Sequence, residues 1–399
     1  MINFDFDKYC YGCSTCKTIC PTGAISMQYN QEGFLVPKID LNKCIQCGAC
    51  EKKCIYLNPQ NNQHVIENKD VFAVFAKNEK ERIRSASGGI FYKISEWMIK
   101  HDGYVCGSIW NEKWEATHIV TNNMEDIIKM QGSKYVESNL NDCYQQIMKT
   151  IKDGKKVLFS GTPCQVAGIK SLVGENPNLF TCSIICEGVP STKVWKKYVK
   201  NLEKKQNSKL QYVNFKYKGK AGWLHPNSRY IFENNKKIEK IAYEEDLYVL
   251  GFVKNLFNRN SCHNCQYKAH NSKADIIIGD LWGTNYDLLK KSKNKGLSVL
   301  IKTDSKFDVI LEDLKEDIFL KKISIMDIMN SNYTLMNCAK QNENRENFFR
   351  DLDMKNIDDN ISNYVQYNKK KIKIKNILMY IGIYPKLINL KYKFRENKK

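Results

Sequence analysis

The chain is short of several things that would settle its class at once. No stretch approaches the ~20 consecutive apolar residues of a membrane-spanning helix, so a spanning segment of that kind is not expected. The opening residues, MINFDFDKYC, carry neither a basic n-region nor an apolar run. No secretory leader is therefore expected, and the sequence reads as that of a cytoplasmic protein. No G-x-G-x-x-G falls on a strand–helix turn, so a Rossmann dinucleotide site is not supported. A C-x3-C-x2-C run is also missing, which argues against radical chemistry with S-adenosylmethionine. No internal repeat extends beyond one pair of cysteine runs.

Cysteine and positive charge are what the chain has in excess: 16 Cys and a net charge of +20 in 399 residues, with an ordinary 42% apolar content. That length allows two or three domains, each with its own core. Half of the charge sits at one end. Residues 369–399 hold eleven Lys/Arg against Glu396 alone, a net +10. The remainder is only mildly basic, which removes the usual argument for nucleic acid as a partner. Within the basic tail, Ile377 to Tyr384 is an apolar run too short to span a bilayer. It suits a helix on the protein's own surface, a peripheral membrane contact or docking on a partner subunit.

In a chain without a leader, clustered cysteines point to metal binding or redox work rather than to disulfides. Residues 1–57 read as cysteine-studded turns with too little core to fold without a staple. Asn58 to Lys69 reads as a polar connector. From Val71 the texture is that of an α/β protein. Val71–Ala76, Val157–Ser160, Ser183–Cys186, Ala274–Gly279 and Ser298–Ile301 are expected strands. Helices are expected after Gly88-Gly89, over Gln165–Leu172, and after a cap at Ser191. Residues 203–245 alternate Lys-rich and aromatic stretches and take no clear assignment.

The cysteine runs carry the strongest signal. Cys10-x2-Cys13-x2-Cys16-x3-Cys20-Pro21 is followed by Cys44-x2-Cys47-x2-Cys50-x3-Cys54. This is the bacterial two-cluster pattern, in which the fourth Cys of each run ligates the other cluster. Cys10, Cys13, Cys16 and Cys54 are therefore assigned to one [4Fe–4S] cluster, and Cys44, Cys47, Cys50 and Cys20 to a second. Cross-ligation ties the two halves together. Zinc is the alternative. It usually takes ligands as two separated pairs, often with His, and these runs contain none. Ile55 replaces the proline that follows the first run, with no loss of a ligand.

A looser set lies beyond. Cys262-x2-Cys265 suits half a zinc site, half a cluster site or a redox pair. Cys164 falls on an expected strand-to-helix turn and Cys186 at an expected strand end. Both are places where α/β proteins present functional groups, although free Cys is also commonly a buried structural thiol. Cys106, Cys143, Cys182 and Cys338 lack such context and read as structural.

Six segments occur in order: Ser85–Gly89 (SASGG), Gly132–Val136 (GSKYV), Gly161–Gln165 (GTPCQ), Cys186-Glu187-Gly188, Cys262-x2-Cys265 and Ala274–Gly279. Together they resemble the coenzyme F420 hydrogenase/dehydrogenase beta subunit family, some members of which carry an N-terminal two-cluster module. The resemblance covers roughly residues 1–340. It implies an α+β ferredoxin-like module over 1–57, followed by an α/β, mixed-sheet, flavoprotein-type region. The family's N-terminal region would span 70–160 and its C-terminal region 161–340, with a basic tail over 341–399. It also implies a third [4Fe–4S] cluster on Cys164, Cys186, Cys262 and Cys265, and a bound FAD. Ser87, Gly88, Gly89, Ser133 and Lys134 are the expected FAD contacts, with glycines allowing close approach and Lys134 facing a phosphate. Read alone, Lys134 is a solvated surface lysine.

The function implied is an oxidoreductase moving electrons between a hydride carrier, reduced F420 or NAD(P)H, and a one-electron acceptor, in either direction. The cofactors would do the chemistry, so no catalytic side chain is assigned. Two alternatives remain: a flavin-free electron-transfer subunit, and a cluster protein of a polysaccharide or cell-surface pathway.

Overall fold

The structure is a computed structural model that describes residues 1–59, 69–268, 271–329 and 331–396. Most of the expected connector, residues 60–68, lies outside the described residues.

The two cysteine runs fold alike. In the first, Gly12 and Ser14 have positive φ (65° and 60°); in the second, Gln46 and Gly48 do, at the matching positions (53° and 71°). Left-handed residues at such spacing curl a backbone inward. The short helices Thr15–Ile19 and Ala49–Lys53 follow, each carrying the third Cys of its run and ending on the fourth, Cys20 or Cys54, as C-cap. Between the runs lies an antiparallel hairpin of β1 (Ile25–Tyr29) and β2 (Leu35–Ile39). Its core is as thin as the composition predicts: Ile2, Ile25 and Cys50 buried, with Phe4, Phe6, Ile19 and Ile39 packed against them.

The body is built on a mixed nine-stranded sheet. Its strands are β3 (Asp70–Ala76), β4 (Tyr104–Trp110), β5 (Ala116–Thr121), β6 (Ser138–Asn139), β7 (Val157–Gly161) and β8 (Leu179–Ile184). A separate antiparallel sheet, ordered β11-β10-β9, follows as β9 (Leu210–Tyr217), β10 (Asn227–Phe232) and β11 (Lys237–Ile241). The chain then returns to the large sheet with β12 (Ile276–Asp280), β13 (Ser298–Lys302) and β14 (Ile318–Ile323). The large sheet runs β14-β3-β13-β12-β8-β7-β4-β5-β6. Its middle strands β12, β8, β7 and β4 are parallel, and antiparallel β13 and β5 flank them.

Strands covered on both faces read as unbroken apolar runs, which is why VLFS on parallel β7 and SVLI on antiparallel β13 were legible. Alternate residues serve opposite layers. Val157, Phe159, Val299 and Ile301 join one core with Val166 and Ile169, from the helix Pro163–Val173. Leu158 and Leu300 join the other, with Ile90, Ile94 and Trp97 from the helix Ile90–Lys100. The small sheet has one dry face, as the alternating burial along β10 shows. That face packs on the helix Thr192–Gln206, whose Ser191 cap accepts from the Val194 N–H.

Some boundaries differ from expectation. The strand placed at Ser183–Cys186 is β8, which stops at Ile184 and leaves Cys186 in the loop beyond. Residues 345–365, grouped with the basic tail by the sequence, fold into the body: Phe348, Leu352, Ile357, Ile361 and Val365 are buried in the small-sheet core. The basic segment proper forms two helices, Lys369–Tyr380 and Ile383–Glu396, that break at Gly382 (φ 75°). They leave Ile374, Ile377, Tyr380, Ile381, Leu387 and Leu390 exposed. Among the described residues, no helix is long and apolar enough to cross a membrane.

His118 on β5 braces the end of the sheet that carries Cys164. Its Nε2 meets the Ser160 carbonyl at 3.0 Å, which assigns the proton to Nε2. Its Nδ1 then accepts from Ser138 Oγ at 2.8 Å. Burial pushes the imidazole pKa down from 6.5 to about 4. The unfolded chain therefore binds the extra proton first. The contribution of His118 is complete above pH 6.5 and erodes toward pH 4, by about 3 kcal/mol in total. Denaturant unfolding from pH 7 to 4 should show this acid slope, and His118→Gln should flatten it while lowering stability at pH 7.

Candidate functional site

Twelve cysteines gather into three sets. In the first, Cys13, Cys10 and Cys54 each raise the pKa of Cys16, behind burial as the main cause. The second lines a single cavity, where Cys20, Cys44, Cys47 and Cys50 meet under Met1, Ile25 and Ile45. In the third, Cys265, Cys186 and Cys262 all act on Cys164. Cys20 and Cys54 thus each sit with the opposite run, the arrangement that cross-ligation requires.

These thiols are crowded and desolvated. Burial pushes Cys10, Cys262 and Cys265 up to about 12, and Cys164 well above its usual range. Such groups become thiolates only around something that brings positive charge. Among the described residues, no three His, Cys, Asp or Glu side chains converge closely enough for a single metal ion. Zinc would need its sulfurs on one point at ~2.3 Å, whereas each thiolate of a [4Fe–4S] cluster takes a different iron. The all-sulfur chemistry of the sets fits clusters.

Polar partners surround the sulfurs. The Gly12 N–H points at Cys10 Sγ (3.3 Å) and the Tyr267 N–H at Cys265 Sγ (3.4 Å). Thr15 and Thr162 hydroxyls lie 3.2 and 3.1 Å from Cys13 and Cys164 Sγ. Hydrogen bonds to ligating sulfur tune a cluster's potential.

The sets abut in series. Cys13 and Cys265 both pack against one small core of Tyr11, Ile55, Cys164 and Tyr267. The two tyrosine rings meet edge-on at 5.6 Å, and Tyr267 Oη donates to the Ile55 carbonyl at 2.6 Å. On the other side of the first set, Cys16 and Cys54 pack with Cys20 and Cys50. Cys164 is positioned by the end of β7 and a capping box, Thr162 with Gln165, at the start of the helix Pro163–Val173. Gly168 in that helix is bare for the module's sake: a Cβ there would lie 2.8 Å from Thr15 Oγ1 and 3.4 Å from Cys13 Cβ.

Beneath the first set lies a buried ion pair that no motif announced. Arg259 pairs with Glu137, both under a tenth exposed. Arg259 Nη1 donates to the Cys10 carbonyl (3.0 Å) and Nη2 to the Leu35 carbonyl (3.1 Å). The Arg259 carbonyl accepts from the Cys262 N–H at 3.0 Å. One residue thus reaches both the first and the third set. Arg345 makes a second tie to the module through Glu32. Cys338, read as structural, donates to the Cys265 carbonyl at 3.3 Å, just outside the third set. Cys106, Cys143 and Cys182 lie in the sheet cores.

The expected flavin segments also meet. Gln131 Nε2 donates to Ser85 Oγ (2.8 Å) and to the Glu81 carbonyl (3.2 Å), joining GSKYV to SASGG. Its Oε1 is buried without a partner, and a Cβ on Gly132 would meet open space. An orphaned acceptor beside open backbone fits a polar ligand at this edge. Gly88 has another reason to be bare, since a Cβ would lie 2.5 Å from the Val74 carbonyl. Gly89, at φ 89°, opens the helix Ile90–Lys100. Ser87 Oγ is spent on the Leu297 carbonyl (2.7 Å). Ser133 is half-buried beside Gly132. Lys134 is not a freely solvated lysine. Its Nζ lies 3.1–3.4 Å from the carbonyls of Lys129, Met130, Gln131 and Gly132, at the end of the helix Met124–Met130. Burial lowers its pKa to about 7, whereas the helix's negative end favours the proton.

Two glycines separate space from strain. Both Gly12 (φ 65°) and Gly132 (φ 85°) are left-handed, but a Cβ on Gly12 would lie 2.7 Å from Arg259 and 2.8 Å from Glu137. Gly132→Ala should cost about 1 kcal/mol, for backbone strain alone. Gly12→Ala should cost well over that and lose iron from the first set. Thermal unfolding and iron content of the two variants check this.

Comparison with known proteins gives the same two parts. Residues 154–327 match the C terminus of the family described as "Coenzyme F420 hydrogenase/dehydrogenase, beta subunit", and residues 9–57 match the 4Fe-4S dicluster domain. The coenzyme F420-dependent sulfite reductase of Methanocaldococcus jannaschii is 27% identical over 168 residues, 41% of this chain and 25% of that protein. The F subunit of the F420H2 dehydrogenase of Methanosarcina mazei is 23% identical over 180 residues, 42% of this chain and 49% of that one. The chain thus spans about a quarter and about half the length of these curated relatives. A solved chain of the F420-reducing [NiFe] hydrogenase complex from Methanosarcina barkeri superposes with a TM-score of 0.48 at 14% identity, covering 77% of this chain and 99% of that one. The chain thus carries, over residues 154–327, the C-terminal region of the coenzyme F420 hydrogenase/dehydrogenase beta subunit family, with a 4Fe-4S dicluster domain ahead of it.

Proposed function

We propose that the chain is an iron–sulfur flavoprotein oxidoreductase component that relays single electrons between a hydride carrier and a one-electron acceptor. The observation that carries this reading is the series of three abutting cysteine sets, graded in exposure. The third set is anchored on the buried Cys164, and the second ends at the exposed Cys47. Cys10, Cys13, Cys16 and Cys54 would hold one [4Fe–4S] cluster, and Cys20, Cys44, Cys47 and Cys50 another. A third would sit on Cys164, Cys186, Cys262 and Cys265. The convergence of these four supports a metal centre there, and the likeness to the family favours a cluster over zinc.

FAD is assigned to the edge where Gln131 joins the two turns, bordered by Ser87, Gly88, Gly89, Ser133 and Lys134. When bound, FAD supplies the exchange between hydride chemistry and single electrons that clusters alone lack. The chain's own part is positional. Lys134 clamps the end of the helix Met124–Met130 and fixes the loop that bears Ser133. Burial of Cys164 keeps water from the third set, while the exposed loop at Cys47 leaves the second open to a partner. Reduced F420 is the favoured hydride carrier because both curated relatives carry F420 in their names; NAD(P)H is the alternative. The exposed apolar residues of the basic tail support a contact with a partner subunit or an anionic membrane surface.

Anaerobically purified protein should hold about twelve iron atoms per chain, as three [4Fe–4S] clusters require, and one FAD. Cys164→Ser and Cys265→Ser should each remove about a third of the iron, while Cys338→Ser should remove none. Unchanged iron in the first two variants would refute the third cluster, and absence of flavin absorbance would leave an electron-transfer subunit without FAD.

A further inference from the structure

We propose that the buried Arg259–Glu137 pair tunes the reduction potential of the cluster on Cys10, and secondarily of the one on Cys262. This rests on the cluster assignment above and deepens it. Both side chains lie between the module and the body, Arg259 at 2% and Glu137 at 6% exposure. The guanidinium reaches the first set, where Nη1 donates to the Cys10 carbonyl at 3.0 Å, and the backbone of the same residue reaches the third, its carbonyl accepting from the Cys262 N–H, also at 3.0 Å. Glu137 pairs with Arg259 Nη2 through one oxygen and accepts from the Leu35 N–H at 2.9 Å through the other. The pair thus seats its guanidinium on the Cys10 backbone and its carboxylate on that of Leu35.

Contact is close on every side. Gly12, inside the first cysteine run, is bare because a Cβ would strike both members of the pair. Ser261 Oγ adds a 3.0 Å bond to the same Cys10 carbonyl. An ion pair costs free energy to bury, and a well-packed apolar replacement often serves stability as well. Its placement here has a better account in charge. Reduction adds one electron, and so one negative charge, to a cluster. A nearby cation in a low-dielectric wall favours that state and an anion disfavours it. Arg259 is therefore a positioning residue that acts through the field it imposes; it transfers no electron itself.

The two members of the pair make opposite predictions, which a structural role does not. EPR-monitored redox titration of the full-length, cluster-loaded protein is the test. Arg259→Gln should lower the midpoint of the Cys10 cluster, and Glu137→Gln should raise it. Arg259→Lys should restore most of the wild-type value, and the cluster at exposed Cys47 should stay within error in all three. Shifts of the same sign in the two Gln variants would overturn the proposal, as would equal shifts in the outer cluster. So would unmoved midpoints at full iron content. Loss of iron in Arg259→Lys and Glu137→Gln alike would reduce the pair to scaffolding and overturn it too. The wild-type titration is read first. If the third set binds no cluster, the Cys262 component vanishes there, while the Cys10 cluster still reports on Arg259.

Discussion

Everything in this protein is arranged around one electrostatic problem, the packing of many ionisable thiols where water cannot reach them. Burial holds Cys10, Cys164, Cys262 and Cys265 in the neutral form. Only a group carrying positive charge makes thiolates of them. The dicluster segment has little core of its own, so its staples and its seat on the body must do what apolar burial does elsewhere. That seat is made by Arg259, Glu137 and Arg345, reaching from the body to the Cys10 loop and to Leu35 and Glu32 of the hairpin. Removing one member of such a buried pair costs about 3–5 kcal/mol, large against the stability of a typical domain.

The large sheet gives the third set its shape. Parallel strands β7 and β8 end side by side, and Cys164 and Cys186 follow within a few residues of those ends. Loops after parallel strands are where such sheets present chemistry. Cys262 and Cys265 arrive from the far side, in and just after a short 3-10 turn, Asn260–Asn264. Gly168 then lets the module approach until Cys13 packs against the core that holds Cys164. The sets are adjacent because glycine in a helix interior, normally a cost of about 1 kcal/mol, opens the space.

Much of this was legible in the sequence, for identifiable reasons. Doubly covered strands are apolar throughout, so VLFS, IIIG and SVLI announced themselves. The spacing within each cysteine run fixes its own turn geometry, down to left-handed residues at matching positions. What stayed hidden depends on partners far away in the chain. Glu137 and Arg259 are 122 residues apart, and each alone looks like a surface charge. The small sheet escaped because β10 and β11 bury one face only, and the other carries charged residues such as Arg229, Lys237 and Glu239. The helices over 345–364 were masked by the basic stretch after them, although Phe348, Leu352, Ile357 and Ile361 keep helical spacing. Gly168 was a readable clue, because a glycine inside an apolar helix needs a packing reason.

The central claim is that the body adds a third cluster, in contact with the two of the dicluster segment. Spin-quantified EPR of the fully reduced protein tests it most directly. The account predicts about three spins per chain, with line shapes broadened by coupling that simplify when Cys265 is replaced by serine. A spectrum that integrates to about two spins and is indifferent to that substitution would contradict it.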